Sequence, residues 1–116
     1  MKKIIFDIGA NDGTETLERA LDPNHLVYAF EPTWELLTKY LWPMAYGRDN
    51  LIIVPFAVDT ENGFQKFNVA GHGDWGCSSL HEFNDDIEKL WPGRWDFKAT
   101  HSYTVPTITL YDFCTL

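Results

Sequence analysis

Residues 4–14 read Ile4-Ile5-Phe6-Asp7-Ile8-Gly9-Ala10-Asn11-Asp12-Gly13-Thr14, and residues 27–32 read Val27-Tyr28-Ala29-Phe30-Glu31-Pro32. The first stretch predicts a buried strand that runs into a glycine turn and a helix start. The second predicts another buried strand ending in a carboxylate. Glu31 follows Gly13 by eighteen positions. At that βαβ spacing an α/β nucleotide-type fold cradles one end of a cofactor in a loop and takes its ribose hydroxyls with an acid.

The loop chemistry separates two cofactor classes. A dinucleotide fingerprint, G-x-G-x-x-G, needs its second glycine so that a pyrophosphate can touch backbone at the helix N-terminus. Here the glycines are Gly9 and Gly13, with Asn11 between them. Asp7 and Asp12 flank the turn, where they would repel a diphosphate but suit a ligand carrying a cationic amine and a sulfonium. The residues therefore point to S-adenosylmethionine rather than a dinucleotide, with Gly9 and Gly13 supplying permissive dihedrals and close approach. Glu31 has the chemistry for a bidentate contact to two vicinal hydroxyls, because an ionised carboxylate only accepts hydrogen bonds. Glycine pairs after apolar strands also occur in purely structural turns, and acids often end strands. Their order and spacing together favour a site.

Phe6-Asp7-Ile8-Gly9-Ala10-Asn11-Asp12-Gly13-Thr14, followed by Ala29-Phe30-Glu31-Pro32, resembles the opening of the FkbM-type methyltransferases, a branch of the class I S-adenosylmethionine-dependent enzymes. Asn50-Leu-Ile-Ile-Val-Pro-Phe-Ala-Val58 is similar to the family's third strand and its exit. Cys77-Ser78-Ser79-Leu80 is similar to its Ser-Ser-Leu segment, and Val105-Pro-Thr-Ile-Thr-Leu-Tyr-Asp112 to the strand-plus-acid before its next helix. The resemblance spans nearly the whole chain, and its first motif is the most specific. It implies O-methylation of a sugar or another small hydroxylated acceptor, with S-adenosyl-L-methionine as cofactor. The implied cofactor residues are Asp7, Gly9, Asn11, Gly13, Thr14, Glu31 and Ala57, with Trp75 and Ser79 on the substrate side.

The family's fourth strand normally carries a Lys-x-Asp-x-(Glu)-Gly-like segment, and these 116 residues contain none. The expected fold is therefore α/β: a Rossmann-like three-layer αβα partial sheet of three parallel strands plus appended antiparallel strands, truncated before the fourth core strand. Such a chain would supply the cofactor-binding half. Ile4 to Ile8 would form a bare apolar edge, which a second chain or a homodimer would complete.

The length suits one domain over residues 1–116, and the composition is that of a globular protein without low-complexity runs. A formal net charge of −8 argues against a nucleic-acid partner and against an anionic membrane surface, both of which would be repelled. Cys77 and Cys114 are too few for a disulfide framework and read as free thiols in a reducing compartment. Neither they nor the histidines show a metal-ligand pattern, so no metal is expected. Lys2-Lys3-Ile4-Ile5-Phe6 begins like a signal peptide, but Asp7 and Asn11 interrupt the apolar run. No stretch reaches membrane-spanning length, and the expected setting is cytoplasmic.

Asp12 with Glu15 makes a capping-box pattern, so the first helix is expected near Asp12, with Leu17, Ala20 and Leu21 as its apolar stripe. Asp22-Pro23-Asn24 ends it, and a strand is expected from Leu26 to Phe30. Thr33 is the expected N-cap of a second helix that turns Trp34, Leu37, Leu41 and Met44 to one face and is limited by Pro43. Leu51 to Phe56 reads as a strand covered on both faces, with Pro55 marking its end or a bulge. Beyond the turn Asp59-Thr60-Glu61-Asn62-Gly63, Phe64 to Val69 and Tyr103 to Leu110 are the two expected further strands.

Between them, Gly71-His72-Gly73-Asp74-Trp75-Gly76 reads as a flexible loop and His81 to Trp91 as a helix. A loop this long in a small domain is more often functional than idle. It would cover the cofactor or hold the acceptor, with Trp75, Trp91 or Trp95 stacking on a sugar face, unless these rings plug a small core. A hydroxyl acceptor requires a general base. His72, His81, His101 and Asp74 are the titratable candidates, each also readable as a solvated surface group, so no catalytic residue is assigned. Two other readings stay open. One is a nicotinamide-dependent oxidoreductase domain, against which the missing middle glycine and the loop acids count. The other is a non-catalytic Rossmann-like module that pairs with a partner through its open sheet edge.

Overall fold

The computed structural model describes residues 2–70 and 99–115. The two quoted apolar stretches form β1 (Lys3–Ile8) and β2 (His25–Phe30), with α1 (Thr14–Ala20) between them. The strands pair in parallel from Lys3↔His25 to Ile8↔Phe30, and β3 (Leu51–Val54) pairs in parallel with β2 from Val27↔Leu51 to Phe30↔Val54. The order is β1-β2-β3, the parallel half-sheet expected from the sequence. Parallel neighbours need crossovers. The first is α1; the second is a helical run of α2 (Trp34–Leu36), a π-helical turn (Leu37–Leu41) and α3 (Trp42–Ala45).

Strand alternation sorts the side chains onto two faces. On one face, fully buried Val27 and Ala29 pack with Ala20 of α1 and with Leu37 and Leu41, while Ile5, Met44, Ala45 and Ile53 close the margins. Burying a side chain the size of Leu41 stabilises by roughly 1.5–3 kcal/mol, so this cluster sets where the second crossover lies. On the opposite face, Phe6, Tyr28 and Phe30 meet Phe113 of α4 (Leu110–Thr115) edge-to-face, with ring centroids 4.9–5.9 Å apart. Helices on both faces of the sheet give three layers.

Several local expectations are revised. Pro43 does not end the second crossover, which continues to Ala45. A proline ring presses on the carbonyl four residues back and offers no N–H. The π-helical turn just before it, whose wider spacing closes with the Trp42 N–H on the Leu37 carbonyl, accommodates that mismatch. Leu21 and Trp34 are exposed, and Thr16 and Leu36 occupy buried positions instead. The third strand stops at Val54, short of Phe56, because Pro55 has no N–H for a ladder.

Past that break, β4 (Ala57–Val58) leaves the first ladder and joins a second sheet with β5 (Gly63–Ala70) and β6 (Ala99–Ile108), in the order β4-β6-β5. The two later strands are therefore present but are not hydrogen-bonded onto β1-β2-β3. The β4–β6 pairing, Ala57↔Thr107 and Val58↔Ile108, is parallel. The chain divides into two compact units, Met1–Gly63 with Pro106–Leu116, and Phe64–Val105. In the second, Phe67 and Val105 are buried, and the Phe67 and Tyr103 rings stand 6.3 Å apart. The expected helix over His81 to Trp91 lies outside the described residues. No helix among the described residues is long and apolar enough to cross a membrane.

One buried amide ties the first crossover to the third strand. Asn50 Nδ2 donates to the Ala20 carbonyl at 2.8 Å and to the Asp22 carbonyl at 3.3 Å, satisfying groups that the end of α1 leaves unpaired. Asn50→Ala is expected to lower stability by about 1–3 kcal/mol, read by urea unfolding; an unchanged midpoint would show that the tie carries no weight.

Candidate functional site

Ligands of open parallel sheets sit outside the carboxyl ends of the strands, which here means the loop after β1 and the turn after β2. The loop uses three left-handed residues in five: Gly9 at φ +76°, Asn11 at +56° and Gly13 at +84°. Asn tolerates this region better than other side chains bearing a Cβ. The Gly9 and Ala10 N–H groups both donate to the Phe30 carbonyl, at 2.9 and 3.0 Å, so the loop is pinned to the end of β2.

The two glycines have different duties. A Cβ at Gly13 would stand 2.6 Å from Met44 Cε and 2.9 Å from Leu41 Cδ2, so the close approach there is to the helical run. At Gly9 nothing among the described residues lies within 4 Å of such a Cβ. The expected capping box is not formed. Gly13 occupies the N-cap of α1, and Asp12 acts from one residue earlier, its Oδ1 accepting from the Thr14 N–H at 3.1 Å and the Thr14 hydroxyl at 2.9 Å.

Glu31 is 5% exposed. Its Oε1 accepts from the Asn11 N–H at 2.9 Å, its Oε2 accepts from the Thr33 N–H at 3.0 Å, and its own N–H donates to the Val54 carbonyl at 3.2 Å. One carboxylate therefore bridges the glycine loop and the entry to α2. Each of its oxygens keeps acceptor capacity for a further donor.

Thr33, read from sequence only as a helix cap, sits at the N-cap position but makes no side-chain cap bond. Its Oγ1 is buried and has no hydrogen-bond partner among the described residues. The sequence signal that could have marked it is its place two residues after the strand-end acid.

The remaining expected residues divide. Asp7 Oδ2 accepts from the fully buried Thr16 hydroxyl at 2.6 Å, a strut between β1 and α1. Ala57 is buried in β4 opposite Thr107, outside the hydrogen-bonded set around Glu31. Trp75 and Ser79 lie outside the described residues, as do His72, Asp74, His81, Trp91 and Trp95; His101 falls in β6. Among the described residues no group of three or more His, Cys, Asp and Glu is placed to hold a metal.

A family model described as the methyltransferase FkbM domain matches residues 7–116. The chain belongs to that family. No curated protein and no solved structure gives a significant match. In this FkbM methyltransferase domain, the two segments that carry the sequence resemblance are joined directly, through Asn11 and Glu31.

Glu31→Ala would strand the Asn11 and Thr33 N–H groups and is expected to cost about 1–3 kcal/mol, whereas Thr33→Val removes an unpaired hydroxyl at nearly constant volume and should leave stability unchanged or higher. Urea unfolding of both variants checks this. A Thr33→Val loss as large as that of Glu31→Ala would show that the hydroxyl is satisfied.

Proposed function

We propose that this FkbM-family chain binds S-adenosylmethionine at the carboxyl ends of β1 and β2, and that it serves the O-methylation of a sugar or another small hydroxylated acceptor. The observation that carries the reading is the Asn11–Glu31 hydrogen bond, which brings a glycine turn and a buried carboxylate with spare acceptor capacity into one place.

The residues present suit such a ligand. Glu31 would accept from the ribose hydroxyls, and the unpaired Thr33 hydroxyl offers a further polar contact. Gly9, Asn11, Gly13 and Thr14 would line the amino-acid end, where Asp7 and Asp12 favour a cationic amine and a sulfonium. A pyrophosphate would meet the same acids without the middle glycine that lets it reach backbone. When bound, S-adenosylmethionine supplies an electrophilic methyl group on its sulfonium. The chain's own contribution is to bind and orient it, the main source of acceleration when a transfer depends on in-line geometry. The net charge of −8 suits a small neutral acceptor better than a polyanion.

Calorimetric titration of the 116-residue chain with S-adenosylhomocysteine, with NAD as control, tests the reading. Saturable binding of the first alone is expected. Binding of NAD instead, or of neither ligand by a folded chain, would overturn it.

A further inference from the structure

The turn before β5 holds the chain's one asparagine that is followed by glycine, Asn62-Gly63. Asn62 is exposed, and its side chain clasps the start of α4. Its Oδ1 accepts from the Thr109 N–H at 2.9 Å, and its Nδ2 donates to Asp112 Oδ2. Those two partners are themselves joined, because the Thr109 hydroxyl accepts from the Asp112 N–H at 3.0 Å. The Thr109 carbonyl then accepts from the Phe113 N–H at 3.0 Å, which begins the helix. The turn is delivered to this place by its backbone. Asp59 N–H donates to the Ile108 carbonyl at 3.0 Å, and the Thr107 hydroxyl donates to the Glu61 carbonyl at 2.8 Å. The Asn62 carboxamide makes the last two bonds.

We propose that Asn62 is a modification site, at which reaction with the Gly63 backbone turns this clasp into a repulsive contact with Asp112 and loosens α4. Glycine carries no Cβ to shield its own nitrogen, so a preceding carboxamide is open to attack by it. The Gly63 nitrogen gives up its proton and bonds to Cγ of Asn62. The Cγ–Nδ2 bond breaks, ammonia leaves with that proton, and a cyclic imide closes between the two residues. Water then adds across one of the two imide C–N bonds, which yields aspartate or isoaspartate at position 62. The net change is one water consumed, one ammonia released and one carboxylate gained, with no oxidant or reductant.

The contacts at Asn62 give this small change its effect. An aspartate there still accepts from the Thr109 N–H, but it has no donor for Asp112, and two carboxylates then face each other. An isoaspartate also lengthens the backbone by one methylene and withdraws the side chain. Either product loses the bond to Asp112 and cannot remake it. The clasp in turn restrains the reaction, because Cγ is held by both of its hydrogen bonds while α4 is in place. Loosening α4 reaches further than the turn. Phe113 packs edge-to-face on Phe30 with ring centroids 4.9 Å apart, and the Phe30 carbonyl holds the Gly9 and Ala10 N–H groups of the glycine loop.

Peptide mass mapping of the folded chain, kept in warm and mildly alkaline buffer, tests the chemistry. The peptide spanning Asn62 and Gly63 is expected to gain the mass of acid over amide, as a mixture of aspartate and isoaspartate, while the buried Asn50 stays intact. The same peptide should react several-fold faster in guanidinium chloride, where both clasp bonds are gone. Hydrogen exchange tests the consequence. Asn62→Asp should speed exchange at the Thr109, Asp112 and Phe113 amides by about fivefold, the equivalent of one net hydrogen bond. Adding Asp112→Asn returns a donor to the pair from the other side and should restore the wild-type rates. A folded chain left unmodified while the unfolded chain reacts fully would overturn the proposal. Unchanged exchange in Asn62→Asp, or a double variant that exchanges as fast as the single one, would overturn it as well.

Discussion

A single buried carboxylate joins three parts of the chain that the backbone alone would leave apart. The left-handed turn at Asn11 points one N–H toward the end of β2, and the entry to α2 points another from Thr33. Neither has a partner in a ladder or a helix. Buried backbone donors must be satisfied, and Glu31 satisfies both because its own N–H is fixed to the Val54 carbonyl of β3. The register of β2 against β3 therefore positions the acid, the acid positions the loop, and the loop positions the start of α1.

The packing beneath this bridge holds it in place. Leu41 and Met44 lie where a side chain at Gly13 would be, so the loop rests directly on the second crossover. That crossover can bring Leu37 and Leu41 to the sheet and still accommodate Pro43 because one of its turns is π-helical. Asn50 binds the far end of α1 to the start of β3. The loop at the carboxyl ends of the strands is thus braced from both ends of α1, and the site is shaped before any ligand arrives. Preorganisation of this kind lowers the ordering cost of binding.

Much of this was legible in the sequence. Glycines, a strand-end acid and apolar runs at βαβ spacing report local requirements, and they located β1, α1, β2, β3, the glycine loop and Glu31. The features that were not legible depend on partners distant in sequence. Nothing in Leu37 to Leu41 announces a π-helical turn, which arises from fitting Pro43 into a run held on the sheet. Thr33 reads as a cap by position, yet its hydroxyl makes no cap bond and has no partner among the described residues, while its N–H is engaged by Glu31. Asn50 reads as a strand start, and its role emerges only once α1 ends beside it. Leu21 has the right spacing for the core stripe but falls just beyond the end of α1, where the chain turns away from the sheet. The pairing of Ala57 and Val58 with β6 was not legible either, because it depends on residues about fifty positions later that the break at Pro55 leaves them free to meet.

The double role proposed for Glu31, as the bridge that holds the loop and as the acceptor for ribose hydroxyls, is tested most directly by a cycle of four affinities. Wild type and Glu31→Gln are each titrated with S-adenosylhomocysteine and with its 2′,3′-dideoxy analogue. Hydrogen bonds to a charged acceptor contribute about 1.5–3 kcal/mol, so removing the hydroxyls should weaken binding to the wild type by roughly tenfold to a hundredfold and should scarcely affect the variant. Equal losses in both proteins would place the hydroxyls away from Glu31 and contradict the assignment.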